Sequence, residues 1–379
     1  MDFSTMVLTM YVAVQDHPAE DERVINIAVE QALLAAELGY NPWFTEHHFR
    51  GPWHSSPIQF ASYIAPQIPK DRYLGFGVLS VPYYNPVRLI ESMNQLDQLT
   101  QGRTLYGMGS GFAGIEPQGL GLDAAYHATG KAAEDNLEIM EKLWDFKTGD
   151  PEYQFETPTY KGEIKRRLTP APYGNRRHPT LIRTASRDSS VITAAKKGWP
   201  AFLGTFSAES PLEDQIRMYR TALAAANHSR EIVEECLRWC TCDWLAVVVA
   251  DTDEEANAKA AEARAEHLAM RDGYIAKHGP MHGPVVKKKA GQTTQGAYAA
   301  GGDMDNLIAG NPDTVAKKVA ELSAHGINHL LCRFLGEWPG KTKYISENSM
   351  RLFAKHIIPR FKDVPPLREI PGEYLEAAE

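Results

Sequence analysis

Apolar residues along this chain follow two periods, short uninterrupted runs and stretches in which they recur every three or four residues. The run at 6–13, MVLTMYVA, predicts a buried strand. Val24, Ile27, Ala28, Leu34, Ala35 and Leu38 then recur at helical spacing, and Gly39 sits where a helix C-terminal cap belongs. A second apolar stretch ends abruptly at Trp43-Phe44-Thr45-Glu46-His47-His48-Phe49, where a carboxylate and two imidazoles follow buried-strand residues. The alternation continues through a weaker helix near 57–66 and a strand at 73–81. A helix follows Pro86, with Leu89, Ile90, Met93, Leu96 and Leu99 on one side and Gly102 past its end. Strand 103–111 and a helix near 130–146 come next, and then a polar, proline-containing excursion at 147–177. Further strands are predicted at 178–185, 200–205, 241–250 and 328–335, and helices at 187–197, 209–226, 253–271, from Asn311-Pro312 to Gly326, and at 343–361. The glycine-rich stretch 273–308, with lysines at 287–289, lacks periodicity and reads as a long mobile loop.

Eight strands, each followed by helix-forming sequence, predict an α/β fold, a (β/α)8 TIM barrel in one domain over 1–379, with insertions at 147–177 and 273–308. In such barrels the active site lies where strands end, and 46–49, 108–111 and 185–190 all follow strands.

Composition narrows the function. Forty Lys and Arg against 48 Asp and Glu give a net charge of −8, the wrong sign for a protein that works by neutralising phosphate backbones. The longest clean apolar run, Trp244 to Ala250, is too short to span a bilayer, and no signal region opens the chain, so a cytoplasmic protein is expected. Cys236, Cys240, Cys242 and Cys332 show no paired metal-ligand spacing and are expected as reduced core residues.

Three segments carry candidate chemistry. Glu46, His47 and His48 hold metal-ligand residue types. On an extended segment, however, alternate side chains point to opposite faces, so Glu46 and His48 diverge from His47 and no metal is expected. Two readings remain open there: histidines serving only as hydrogen-bonded strand-end groups, and an imidazole facing the cavity as acid, base or donor. Gly109 to Gly114 matches GxGxxG, but a dinucleotide site needs a helix to begin in the glycine turn, and Ile115-Glu116-Pro117-Gln118-Gly119 is predicted to be non-helical. These glycines imply a close approach of backbone to a flat ligand, or a tight turn. Ala185-Ser186-Arg187-Asp188-Ser189-Ser190 joins a strand to a helix, and its hydroxyls, guanidinium and backbone N–H groups suit a phosphate cradle or ordinary helix capping.

WFTEHHF, with VPYYNPVRLIESMNQLDQLTQGR at 81–103 and YGMGSG at 106–111, resembles the bacterial luciferase-like flavin monooxygenases. The likeness continues through TASRDSSVITAAKKGWP at 184–200 and NPDTVAKKVAELSAHGINHLLCRF at 311–334. It implies a two-component enzyme in which FMN, reduced by a separate flavin reductase, reacts with O2. The resulting 4a-hydroperoxyflavin then oxygenates a small to medium, apolar organic molecule by insertion beside a carbonyl or by hydroxylation. His47 matches the family's catalytic histidine, with Glu46 and His48 in support. A non-proline cis peptide beneath the isoalloxazine maps onto Gly77-Val78. Gly109 and Ser110 stand where luciferase places a cysteine and a phosphate-binding arginine, so the phosphate charge is assigned to Arg187, with Ser186 and Ser190 as added donors beside Ala185. The family also pairs subunits through the helices near 57–66 and 87–99, implying a homodimer or heterodimer. A deazaflavin-dependent hydride-transfer enzyme and a non-catalytic flavin-binding protein are the alternatives on the same fold.

Overall fold

The computed structural model describes every residue except 8–17, 50–54, 112–114, 205–207, 279–306, 337, 339, 373 and 375–379. Its strands are β1 (Asp2–Val7), β2 (Asn41–Phe44), β3 (Leu74–Ser80), β4 (Thr104–Gly109), β5 (Tyr153–Glu156), β6 (Lys161–Ile164), β7 (Thr180–Thr184), β8 (Ala201–Leu203), β9 (Thr241–Val249), β10 (Leu307–Gly310) and β11 (His329–Phe334). The main sheet runs β10-β9-β11-β1-β2-β3-β4-β7-β8, and β8 pairs back onto β9. Eight of these strands therefore close a parallel barrel in chain order, as the alternation predicts. The ninth, β10, pairs with β9 in parallel from Leu307 opposite Ala246 to Gly310 opposite Val249.

The last residues of helix Asp253–His278 and the first two of β10 fall inside the stretch read as a 273–308 loop, so that loop is shorter at both ends than predicted. Most of it lies outside the described residues. The first strand starts at Asp2 rather than Met6, because Phe3 is already buried and Asp2 pairs opposite His329. The remainder of the predicted 6–13 run is outside the described residues.

Helices α1 (Pro18–Glu37), α2 (Pro57–Ile64) and α3 (Pro86–Leu99) occupy the predicted positions. Proline suits the first turn of each because the first N–H groups of a helix have no intrahelical acceptor. Asn85 caps α3 by accepting from Val87 N at 3.0 Å, and Asn311 does the same for helix Pro312–Ala324, accepting from Asp313 N and Thr314 N at 2.9 and 3.1 Å. A single turn of helix, α4 (Ile115–Gly119), stands where none is predicted. Pro117 does not oppose it, since its missing donor falls within the first turn. Next come α5 (Ala124–Ala128), α6 (Lys131–Asp145), α7 (Asp188–Lys196) and α8 (Leu212–Ala225). As with α4, neither α5 nor a further helix, α9 (Arg230–Trp239), has a predicted counterpart.

The chain forms two compact units, one built from the residues up to Trp43 and from Ile182 on, the other from Phe44–Leu181. In the first, Phe3, Leu330, Cys332, Val247 and Val249 pack against helix residues such as Ala35, Val315 and Phe353. All four cysteines are free and buried. His329 is fully buried between Ser4 Oγ at 2.6 Å and Thr241 Oγ1 at 2.7 Å, and burial pushes its pKa down to about 4. Arg333 donates to Asp243 Oδ2 at 3.1 Å, while burial pushes the Asp243 carboxyl up against the opposing pull of that guanidinium. Among the described residues, no helix is long and apolar enough to cross a membrane.

In the second unit the 147–177 excursion contains the antiparallel hairpin β5–β6, a sheet separate from the barrel. The chain returns from it onto Asp97 of α3. This fully buried carboxylate accepts from Arg176 Nη2 at 2.7 and 2.8 Å, from Tyr173 N at 2.8 Å and from Thr104 Oγ1 at 2.7 Å. With its donors so arranged, the buried charge is compensated.

Candidate active site

Strand β2 ends at Phe44, and the five residues that follow are not strand, yet the predicted divergence of their side chains persists. Glu46 and His48 turn to one another, with His48 Nε2 and Glu46 Oε1 3.0 Å apart, while His47 turns to a different carboxylate. That second carboxylate is Glu116, on the unpredicted helix α4.

The two acids are built alike. Glu46 is 3% exposed and accepts from His48, from the Tyr84 hydroxyl at 2.5 Å and from Ser80 N at 2.7 Å. Glu116 is fully buried and accepts from His47 Nδ1 at 3.0 Å, from the Tyr83 hydroxyl at 2.7 Å and from His48 N at 3.3 Å. Each carboxylate thus holds one imidazole, one phenol and one backbone N–H. Burial and the adjacent Glu46 charge raise the pKa of Tyr84 far beyond the ordinary phenol range, which keeps it a donor.

Because an ionised carboxylate only accepts, the Glu116 contact assigns the neutral His47 tautomer with its proton on Nδ1. Nε2 then carries the lone pair. The His47 side chain is 15% exposed, so it is held without being sealed.

The Gly77-Val78 peptide is cis, at the place mapped from the resemblance. It lies where the β3–β4 register shifts between Phe76 and Leu79. The strands approach closely there. A Cβ at Gly107 would stand 2.2 Å from the Phe76 carbonyl oxygen, and one at Gly109 would stand 2.3 Å from Val78 Cγ2. The protein's own packing therefore already requires glycine at 109. Gly111 has φ +69°, and a Cβ there would meet the Tyr83 ring at 2.6 Å. Ser110 is exposed beside it.

In the other unit, Ala185 is buried and its carbonyl accepts from Gln215 Nε2 at 3.1 Å. Ser186 and Ser190 are half-buried and Arg187 is exposed. Arg187 occupies the N-cap position of α7 with extended backbone and makes no side-chain cap. Asp188 N donates to the Glu209 carboxylate at 3.1 Å, and Ser210 Oγ donates to Asp188 Oδ2 at 2.6 Å. Glu209 at this helix start was not anticipated from the local sequence, and it already uses one of the helix's N–H groups.

Sequence reasoning thus located Glu46, His47 and His48 but missed Glu116, Tyr83 and Tyr84. The signal for Glu116 was present as a lone carboxylate one turn beyond a barrel strand, flanked by Ile115 and Pro117. Among the described residues, no group of three or more His, Cys, Asp or Glu side chains is disposed to hold a metal ion.

Comparison with known proteins agrees with this construction. Residues 1–329 match the model of the family described as luciferase-like monooxygenase. The chain is 28% identical over 360 residues to 4-hydroxyprotoasukamycin monooxygenase of Streptomyces nodosus subsp. asukaensis, covering 91% of this chain and 90% of that one. Its fold is similar to monooxygenase RslO1 from Streptomyces bottropensis, with TM-score 0.69, 19% identity and coverage of 95% and 100%. It is also similar to the oxygenating constituent of 3,6-diketocamphane monooxygenase from Pseudomonas putida, a type II Baeyer-Villiger enzyme solved in complex with FMN, with TM-score 0.66, 18% identity and coverage of 95% and 99%. A family match over most of its length, on a barrel whose second strand delivers the histidine pair, makes this chain an enzyme of the luciferase-like monooxygenase family.

Proposed function

We infer that this protein is the oxygenating component of a two-component monooxygenase, using FMN reduced by a separate flavin reductase and O2 to oxygenate a small to medium apolar organic molecule. The observation that carries this reading is the buried Glu116 carboxylate on His47 Nδ1, an orienting acid behind the imidazole that the resemblance makes catalytic.

The residues present fit a flavin. The glycine-lined cis Gly77-Val78 segment supplies a surface free of charge, and Arg187 with Ser186 and Ser190 at the start of α7 would hold the phosphate. Glu209 would yield its bond at Asp188 N, because an anion there cannot share the donor with a carboxylate. Bound in reduced form, FMN supplies the electrons with which O2 is split, one oxygen atom entering the substrate and the other leaving as water. His47 Nε2 accepts or returns a proton at the reacting oxygen, and Glu116 stabilises the imidazolium that forms. Glu46, tied to Ser80 N, Tyr84 and His48, fixes the peptide that carries His47.

A separate source of reduced flavin is supported by the glycine run 109–114. The helix after it, Ile115–Gly119, carries Glu116, whose charge opposes a pyrophosphate and is committed to His47. A dimer through α2 and α3 is supported by Tyr63 and Leu99, 61% and 62% exposed on those helices.

The test is anaerobic binding of photoreduced FMN followed by mixing with O2. The protein should delay the return of the oxidised flavin spectrum relative to free flavin, and His47→Ala should abolish the delay. Tight binding of a reduced deazaflavin with no delay on FMN would overturn the reading in favour of hydride transfer.

A further inference from the structure

Between β3 and α3 the chain makes one turn of 3-10 helix, Val81–Tyr83. Asn136 of α6 pins this turn from a buried position, its amide nitrogen donating to Val81 O at 3.2 Å and to Tyr84 O at 3.0 Å. From the pinned turn two consecutive phenols reach two different acids. Tyr83 donates to Glu116 Oε2 at 2.7 Å and Tyr84 to Glu46 Oε1 at 2.5 Å.

The Tyr83 ring has a place that does not depend on its hydroxyl's bond. It stacks on His127, with centroids 5.6 Å and planes 30° apart, and meets the His48 ring edge-on at 5.7 Å. Gly111 also closes on it, since a Cβ there would come within 2.6 Å of Tyr83 Cζ. Packing thus delivers the hydroxyl to Glu116.

The effect of that bond on Glu116 follows from charge. Glu116 is fully buried, and a buried carboxylate stays ionised only while donors compensate it. Its Oε1 accepts from His47 Nδ1 at 3.0 Å and His48 N at 3.3 Å, and its Oε2 from Tyr83. A buried carboxylate that loses a donor takes up a proton more readily. Once protonated, it can donate to Nδ1 instead of accepting from it, and His47 then carries its own proton on Nε2.

We propose that Tyr83 is a positioning residue for the oxygenation, keeping Glu116 an acceptor and thereby holding neutral His47 in the tautomer protonated at Nδ1. The consequence for product formation rests on the monooxygenase reading of this site, whereas the tautomer does not.

The test uses the full chain with isotope-labelled histidine, in which the nitrogen resonances of neutral His47, assigned by their loss in His47→Gln, report which ring nitrogen is protonated. The wild type should show Nδ1 protonated. Tyr83→Phe keeps the ring contacts and removes only the hydroxyl; it should convert a major share of His47 to the Nε2–H form. Product formed per reduced FMN should fall about tenfold, the value of one hydrogen bond to a charged group, with FMN affinity unchanged. Combined with Glu116→Gln, it should cost no more than Glu116→Gln alone, because it acts through that acid. Tyr84→Phe, which strips the same kind of bond from Glu46, should leave the His47 tautomer as in the wild type. A wild-type His47 protonated at Nε2, an unchanged tautomer in Tyr83→Phe, the same change in Tyr84→Phe, or losses that multiply in the double variant would each overturn the proposal. If the wild type fails to bind reduced FMN, the flavin reading falls while the tautomer comparison still decides the role of Tyr83.

Discussion

Glu116 Oε1 lies 3.0 Å from His47 Nδ1 across 69 residues of sequence, joining the end of the second barrel strand to a one-turn helix after the fourth. That contact sets the tautomer of the neutral histidine. Replacing the acid by its amide tests it. Glu116→Gln keeps the shape but can present an N–H to Nδ1, favouring the wrong tautomer. Product formed per reduced FMN should fall by about 10²-fold, the scale of a general acid-base contribution, while FMN affinity changes little. Coupling equal to the wild type would remove Glu116 from its positioning role.

Tyr84→Phe leaves Glu46 with two donors instead of three. Losing a bond to a buried charged group should lower stability by about 1–3 kcal/mol, read as a shift in the urea midpoint at constant slope. His48→Phe should act in the same direction and, because both bonds end on Glu46 Oε1, the double variant should be non-additive.

Arg333→Met removes the guanidinium from Asp243, a residue that is 5% exposed and has a second carboxylate oxygen without a partner among the described residues. A cost of about 3–5 kcal/mol is expected, as for other broken buried pairs. The double variant Arg333→Met, Asp243→Leu should recover most of it. A single variant as stable as the wild type would show that the pair contributes nothing to the fold.

His329 sets a pH dependence. Its folded pKa of about 4 lies below the ordinary 6.5, so the unfolded chain takes up a proton first as pH falls. The stability of the neutral, doubly hydrogen-bonded ring is fully present above about pH 6.5 and is lost progressively toward pH 4, by about 3 kcal/mol in total. Urea midpoints at pH 7 and pH 5 should differ more in the wild type than in His329→Gln.

Arg187→Ala should weaken FMN binding by about tenfold or more and leave riboflavin binding unchanged, since only FMN carries the phosphate. Glu209→Gln should strengthen FMN binding, because it removes the charge that competes at Asp188 N. Equal losses for FMN and riboflavin would move the phosphate elsewhere.

The barrel was legible because each of its eight strands is a short apolar run bounded by turn or helix signals. His47 was legible because a polar cluster follows such a run. What escaped was whatever depends on where two distant strand ends meet. Glu116 was hidden by Pro117, which argues against a helix in general but is tolerated in a first turn. The need for glycine at 109 looked like room for a ligand, whereas Val78 packs against that position. Glu209 lies 21 residues beyond Asp188, outside any local motif for a phosphate cradle.

The return of the 147–177 excursion onto Asp97 has a consequence for how this enzyme can be altered. The two ends of the segment are fastened to one another by Arg177 on Asp145, the last residue of α6, and the returning end is held again by Arg176 and Tyr173 N on Asp97. The stretch between Asp145 and Tyr173 can therefore be shortened or exchanged as a cassette, and variation in its length is the change the barrel strands would register least.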